Sequence, residues 1–150
     1  MYQKILVPVD GSAASSRGLE EAIRFAKATG AAIGLVHVVD EFVIAAGQAP
    51  AEWQALSAAL RESGEHVLEQ AEALVREHGV PCTSTLLGAT DGGAAGAIIE
   101  QAKRLPADVI VMGTHGRRGL RRLTMGSDAE LVLRSSPVPV LLVRARQEPS

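Results

Sequence analysis

Four short stretches of the chain are apolar almost without interruption and a fifth alternates, while the segments between them carry apolar residues at helical spacing instead. "KILVPV" (residues 4–9) reads as a strand buried on both faces, "AIGLVHVV" (32–39) as the second strand, "ADVIVMG" (107–113) as a further buried strand and "VPVLLV" (138–143) as the last strand. "PCTSTLLG" (81–88) alternates and begins with a proline, which places it at a sheet edge. After the first run, Leu19, Ala22, Ile23 and Ala26 follow an i, i+3, i+4, i+7 pattern, with Gly30 where the helix would close. A long helix is expected over residues 51–78, its stripe formed by Leu60, Val67, Leu68, Ala71, Leu74 and Val75. Gly79 closes it and Gly64 weakens its middle. Ala95, Ile98, Ile99 and Ala102 mark a third helix, with Asp91 as its expected cap, and a short fourth spans 127–135.

The resulting order is βαβαβαβαβ. Parallel strands joined by helical crossovers form a doubly wound sheet with helices on both faces. The fold class expected is therefore α/β, a single five-stranded parallel sheet, with strand order 3-2-1-4-5. Composition agrees. Only 3% of the 150 residues are aromatic while 47% are hydrophobic, so the core must be built from Val, Leu, Ile and Ala. A chain of this length fills one domain, expected to run over residues 1–150, without disulfides or metal to hold it.

Several function classes are disfavoured at this stage. A net charge of −2 gives no general attraction to nucleic acid or to an anionic membrane. Cys82 is the single cysteine, and His37, His66 and His78 stand at no metal-like spacing. No run approaches the roughly 18 apolar residues of a membrane span, and the N-terminus has no signal-peptide pattern. The expectation is a soluble, cytoplasmic protein.

In open α/β sheets a ligand sits outside the carboxyl ends of the strands, where the strand order reverses. Two segments leave strand ends with unusual chemistry: "VPVDGS" (7–12) after the first strand and "GTHGRRGLRRLTMGS" (113–127) after the fourth. Order 3-2-1-4-5 makes those strands neighbours, so both segments face one crevice. Glycine lets backbone N–H groups approach an anion, and Gly126 with Ser127 opens a helix whose positive end favours phosphate. Asp10, a carboxylate at a strand end, is suited to ribose hydroxyls. It is equally suited to capping the helix that follows. Together these features describe a nucleotide site. Neither a G-x-x-x-x-G-K-[ST] loop nor a G-x-G-x-x-G turn is present. His115 has no paired carboxylate or nucleophile, so no catalytic residue is named.

Gly113-x-x-Gly116, nine residues, then Gly126-Ser127 resembles the ATP-binding motif G-x2-G-x9-G-[ST] of the universal stress protein family. "ILVPVDGS", "LVHVVD" and "SSPVPVLLVR" resemble the same family's framework, so the likeness runs from Lys4 to Arg144. The resemblance implies an adenine nucleotide α-hydrolase-like fold and ATP as ligand, with Mg or Mn as its companion ion. It implies that Pro8, Val9 and Asp10 meet the adenosine end and that Val38 lines the adenine pocket. Met112, Gly113, Thr114, His115, Gly116 and Arg117 would follow sugar and phosphates, with Gly126 and Ser127 holding the phosphates. Asp128 stands where a neutral residue is common in the family, and its charge opposes a polyphosphate unless arginines such as Arg117 and Arg118 offset it. The resemblance also implies a homodimer formed along residues 138–143, from Val138 to Val143. The expected role is a nucleotide-dependent stress-response switch with slow ATP hydrolysis at most. The alternative is a nucleotide-free dimeric, chaperone-like interaction protein. Val in place of Gly113 or Gly126 is expected to fill the phosphate space and leave the fold intact.

Overall fold

Lys4–Pro8 (β1), Ala32–Val39 (β2), Cys82–Gly88 (β3), Val109–Gly113 (β4) and Val140–Val143 (β5) form one sheet, every pairing parallel, in the order β3-β2-β1-β4-β5. The computed structural model describes residues 2–39, 50–89, 92–114 and 126–145. Between the strands run the helices Ala13–Thr29 (α1), Pro50–Glu77 (α2), Gly93–Arg104 (α3) and Ser127–Ser135 (α4). The fold class and the strand order are those expected from the alternation of period.

Strand residues alternate between two apolar clusters. Ile5, Val7, Ile33, Leu35, Val109 and Val111 pack with Leu19, Ala22, Ile23 and Ala26 of α1 and with Leu68, Ala71 and Val75 of α2. Leu6, Val36, Ile110 and Met112 point the other way, toward Ala95, Ile98 and Ala102 of α3 and Ala129 and Val132 of α4. Two helices thus cover each face, and the central strands are buried on both sides, which accounts for their uninterrupted apolar runs.

Local chemistry sets the element ends. Ser12 caps α1, its Oγ accepting the Ser15 N–H at 3.2 Å. Gly30, at φ 77°, closes the helix by donating its N–H to the Ala26 carbonyl. Gly79, at φ 74°, does the same work after α2.

Some ends differ from the sequence reading. α2 begins and ends one residue early. α3 has Gly92 as its N-cap, without a side-chain bond, in place of Asp91, which lies outside the described residues. β3 starts after Pro81, which has no N–H to give and contributes only its carbonyl, accepting from Ile33. β5 starts at Val140 rather than Val138. Ser136 holds the preceding turn, its hydroxyl donating to the Val138 carbonyl at 2.6 Å and accepting the Val138 N–H at 3.1 Å, and Pro139 again offers only a carbonyl. Among the described residues no helix is long and apolar enough to cross a membrane.

Candidate functional site

β1 pairs with β2 on one side and β4 on the other, so the chain reverses its direction of winding between β1 and β4. The crevice at their carboxyl ends is where the candidate residues converge.

On the β1 side the ladder runs one residue past the strand, the Val9 N–H donating to the Val36 carbonyl at 2.8 Å. The chain then turns through Gly11, at φ 82°, a left-handed value that suits glycine. Asp10 organises this turn. Its Oδ1 accepts the Ser12 N–H at 2.9 Å, and its own N–H donates to Ser15 Oγ at 3.1 Å. The capping role considered for Asp10 therefore belongs to Ser12, with Asp10 holding Ser12 in place.

On the β4 side, the Thr114 N–H donates to Val143 at 3.0 Å, and the Thr114 carbonyl accepts the Gly126 N–H at 2.6 Å. The second bond ties the start of α4 to the end of β4. Gly126 is the N-cap of α4 and has no side chain to offer the first-turn amides, which makes that helix start suitable for an incoming anion. Ser127 and Asp128 in the first turn are exposed, while Ala129 is buried. Asp128 favours the helix dipole but opposes a second anion.

The two sides touch through α1. A methyl group on Gly113 would stand 2.6 Å from the Ala14 carbonyl carbon and oxygen, and one on Gly18 would stand 3.1 Å from the Gly113 nitrogen. Small residues at 14, 18 and 113 let the first turns of α1 lie directly on the end of β4. This corrects one expectation: a side chain on Gly113 meets the α1 backbone, so the fold would not stay intact. Gly126, at φ −64° and ψ 152°, has a conformation open to any residue.

Pro8, Val9, Asp10, Val38, Met112, Gly113, Thr114, Gly126, Ser127 and Asp128 are thus all placed at the carboxyl ends of β1, β2 and β4 or at the start of α4. Val9 and Met112 are buried, Val38 half-buried. His115, Gly116 and Arg117 lie outside the described residues, as do Arg118, Arg121 and Arg122. Among the described residues no three His, Cys, Asp or Glu side chains come together as a metal site would require.

Two residues to which the sequence reading gave no place at the site lie beside it. The Nδ1 of His37 lies 2.8 Å from the Val9 carbonyl oxygen, and Gly64 of α2 sits against the other edge of that ring. A histidine inside an apolar strand and a glycine inside a helix were the available signals, but their meaning depends on each other.

Residues 1–144 match the model of the universal stress protein family. The chain belongs to that family. Among its relatives are a universal stress protein of Thermus aquaticus, 38% identical over 96% of this chain and 100% of that one, and one of Methanocaldococcus jannaschii, 36% identical over 96% and 83%. The family protein UspA from Lactobacillus plantarum superposes with a TM-score of 0.83 at 27% identity, covering 95% of this chain and 98% of that one. Two family members solved with nucleotides, one with cAMP and one from Archaeoglobus fulgidus with dAMP, share the fold at TM-scores of 0.68 and 0.67. Both are 23% identical to this chain; the first covers 97% of this chain and 98% of that one, the second 95% and 98%.

Proposed function

We propose that this chain is a regulatory member of the family that binds ATP in the crevice between β1 and β4. Occupancy of the crevice is the signal it passes on. The observation that carries this reading is the hydrogen bond from the Gly126 N–H to the Thr114 carbonyl, 2.6 Å, which sets the start of α4 beside the end of β4. Gly126, its own N–H engaged by Thr114, brings no side chain to the positive end of α4, and the Ser127 amide and those after it then hold the phosphates, with Gly113, Thr114, His115, Gly116 and Arg117 along the sugar and polyphosphate. Pro8, Val9 and Asp10 take the adenosine end, and Val38 and Met112 give apolar walls to adenine. Mg or Mn would travel with the polyphosphate and offset its charge near Asp128. Nucleotide complexes of two family members support an adenylate as the ligand class.

No residue is assigned to bond cleavage, and hydrolysis, if measured, is expected far below the turnover of about 1 s⁻¹ and above that is ordinary for enzymes. A second copy of the chain pairs along β5, the outer strand of the sheet, where Leu141 is 38% exposed. Denaturing the freshly purified protein and weighing the released small molecule tests the reading. An adenine nucleotide near one per chain is expected, and ligand-free protein that also ignores added ATP would favour the chaperone-like alternative.

A further inference from the structure

We infer that His37 is a positioning residue for the nucleotide crevice, setting the Val9–Asp10 peptide from which the Asp10 carboxylate projects. The inference rests on the nucleotide reading above and adds to it a residue that need not touch the ligand.

The Val9 carbonyl and the Asp10 N–H belong to one rigid peptide plane. Both ends of that plane are held by side chains. The carbonyl oxygen lies 2.8 Å from His37 Nδ1, and the N–H donates to Ser15 Oγ at 3.1 Å. A carbonyl can only accept, so Nδ1 carries the hydrogen. The remaining bond, from the Val9 N–H to Val36, fixes the residue on its other side. Three hydrogen bonds thus determine the last residue before Asp10, and only one of them is ordinary sheet pairing.

The imidazole is itself clamped. A methyl group on Gly64 would stand 2.6 Å from His37 Cδ2, 3.1 Å from Nε2 and 2.9 Å from Leu86 Cδ1. The backbone of α2 therefore lies directly on the ring edge, and a glycine is what lets it come so close. Gly64 is buried within an unbroken helix, so its cost in helix propensity is offset by this contact. The position of α2 and the seat of Asp10 are linked through one ring.

The test uses isosteric replacements in the full chain. The amide nitrogen of Asn can occupy the place of Nδ1, whereas that of Gln reaches toward the place of Nε2. His37→Asn is expected to bind ATP within about threefold of wild type, and His37→Gln about tenfold more weakly. In ligand-free protein, NMR exchange of the Asp10 amide should be about tenfold faster in His37→Gln and unchanged in His37→Asn. Equal ATP affinity in both variants with unchanged Asp10 exchange, or equal loss in both, overturns the proposal. Should wild type bind neither ATP nor AMP, the nucleotide reading fails. The His37 clamp is then judged by Asp10 exchange alone, and equal exchange in all three proteins refutes it.

Discussion

Gly113 and Ala14, ninety-nine positions apart in sequence, are in backbone contact: an added methyl on Gly113 would lie 2.6 Å from the Ala14 carbonyl group and 2.9 Å from its Cβ. The last residue of β4 therefore serves the fold, apart from any part it has in the proposed site. Gly113→Ala is expected to cost about 1–3 kcal/mol, because the neighbour that must yield is helix backbone. Urea unfolding measures it, and a midpoint equal to wild type would show that α1 lifts away freely.

Asp10 has two separable duties. Its Oδ1 accepts the Ser12 N–H, and its charge faces the proposed ribose site. Asp10→Asn keeps an acceptor and is expected to stay within about 0.5 kcal/mol of wild-type stability, while Asp10→Ala loses about 1 kcal/mol. Both should weaken ATP binding, the alanine variant by roughly tenfold. Thermal melts beside calorimetric titrations read the two effects separately. A normal dissociation constant in Asp10→Ala would leave only the turn role.

Cys82 is expected to be an inert thiol. Burial, and after it the negative charge of Glu72, pushes its pKa from the ordinary thiol value of 9.0 up to about 11, with Arg76 opposing. Two units mean roughly a hundredfold less thiolate at pH 8, and the thiolate is the reacting species. Alkylation by iodoacetamide should be slower by about that factor in folded than in urea-unfolded protein. Equal rates would contradict the partial burial of β3's first residue.

At the opposite end of the sheet, Asp108 Oδ2 accepts the N–H groups of Gln3 at 2.8 Å and Lys4 at 2.9 Å. Those two bonds lower its pKa, the Gln3 amide contributing most. A lowered carboxylate pKa stabilises the fold above the unfolded value and is lost as pH falls through the folded one. The melting-temperature gap between wild type and Asp108→Asn should be open at pH 7 and narrow below about pH 4. A gap independent of pH would assign the effect to something other than ionisation.

What was legible in the sequence was local. Apolar period distinguished strands from helices, and Gly30 and Gly79 marked helix ends because a left-handed turn there needs no partner elsewhere in the chain. The adjacency of the β1 and β4 ends was legible because topology alone places those strand ends together. Residues whose meaning lies in a distant neighbour were not legible. Gly64 reads as a flaw in a helix until His37 is beneath it, and Gly113 reads as a ligand glycine until Ala14 is against it. Pro139 trims β5 for a reason visible in sequence, a missing N–H, but the Ser136 turn that completes the change is a matter of geometry.

Titration calorimetry with ATP, on wild type and on Gly126→Val, tests the central claim most directly. The substitution suits the backbone of Gly126, so both proteins should melt alike. Wild type is expected to show one saturable site per chain and the variant none, because a side chain at the start of α4 occupies the place of the phosphates. Identical binding by the two proteins, or no binding by wild type into the millimolar range, would contradict it.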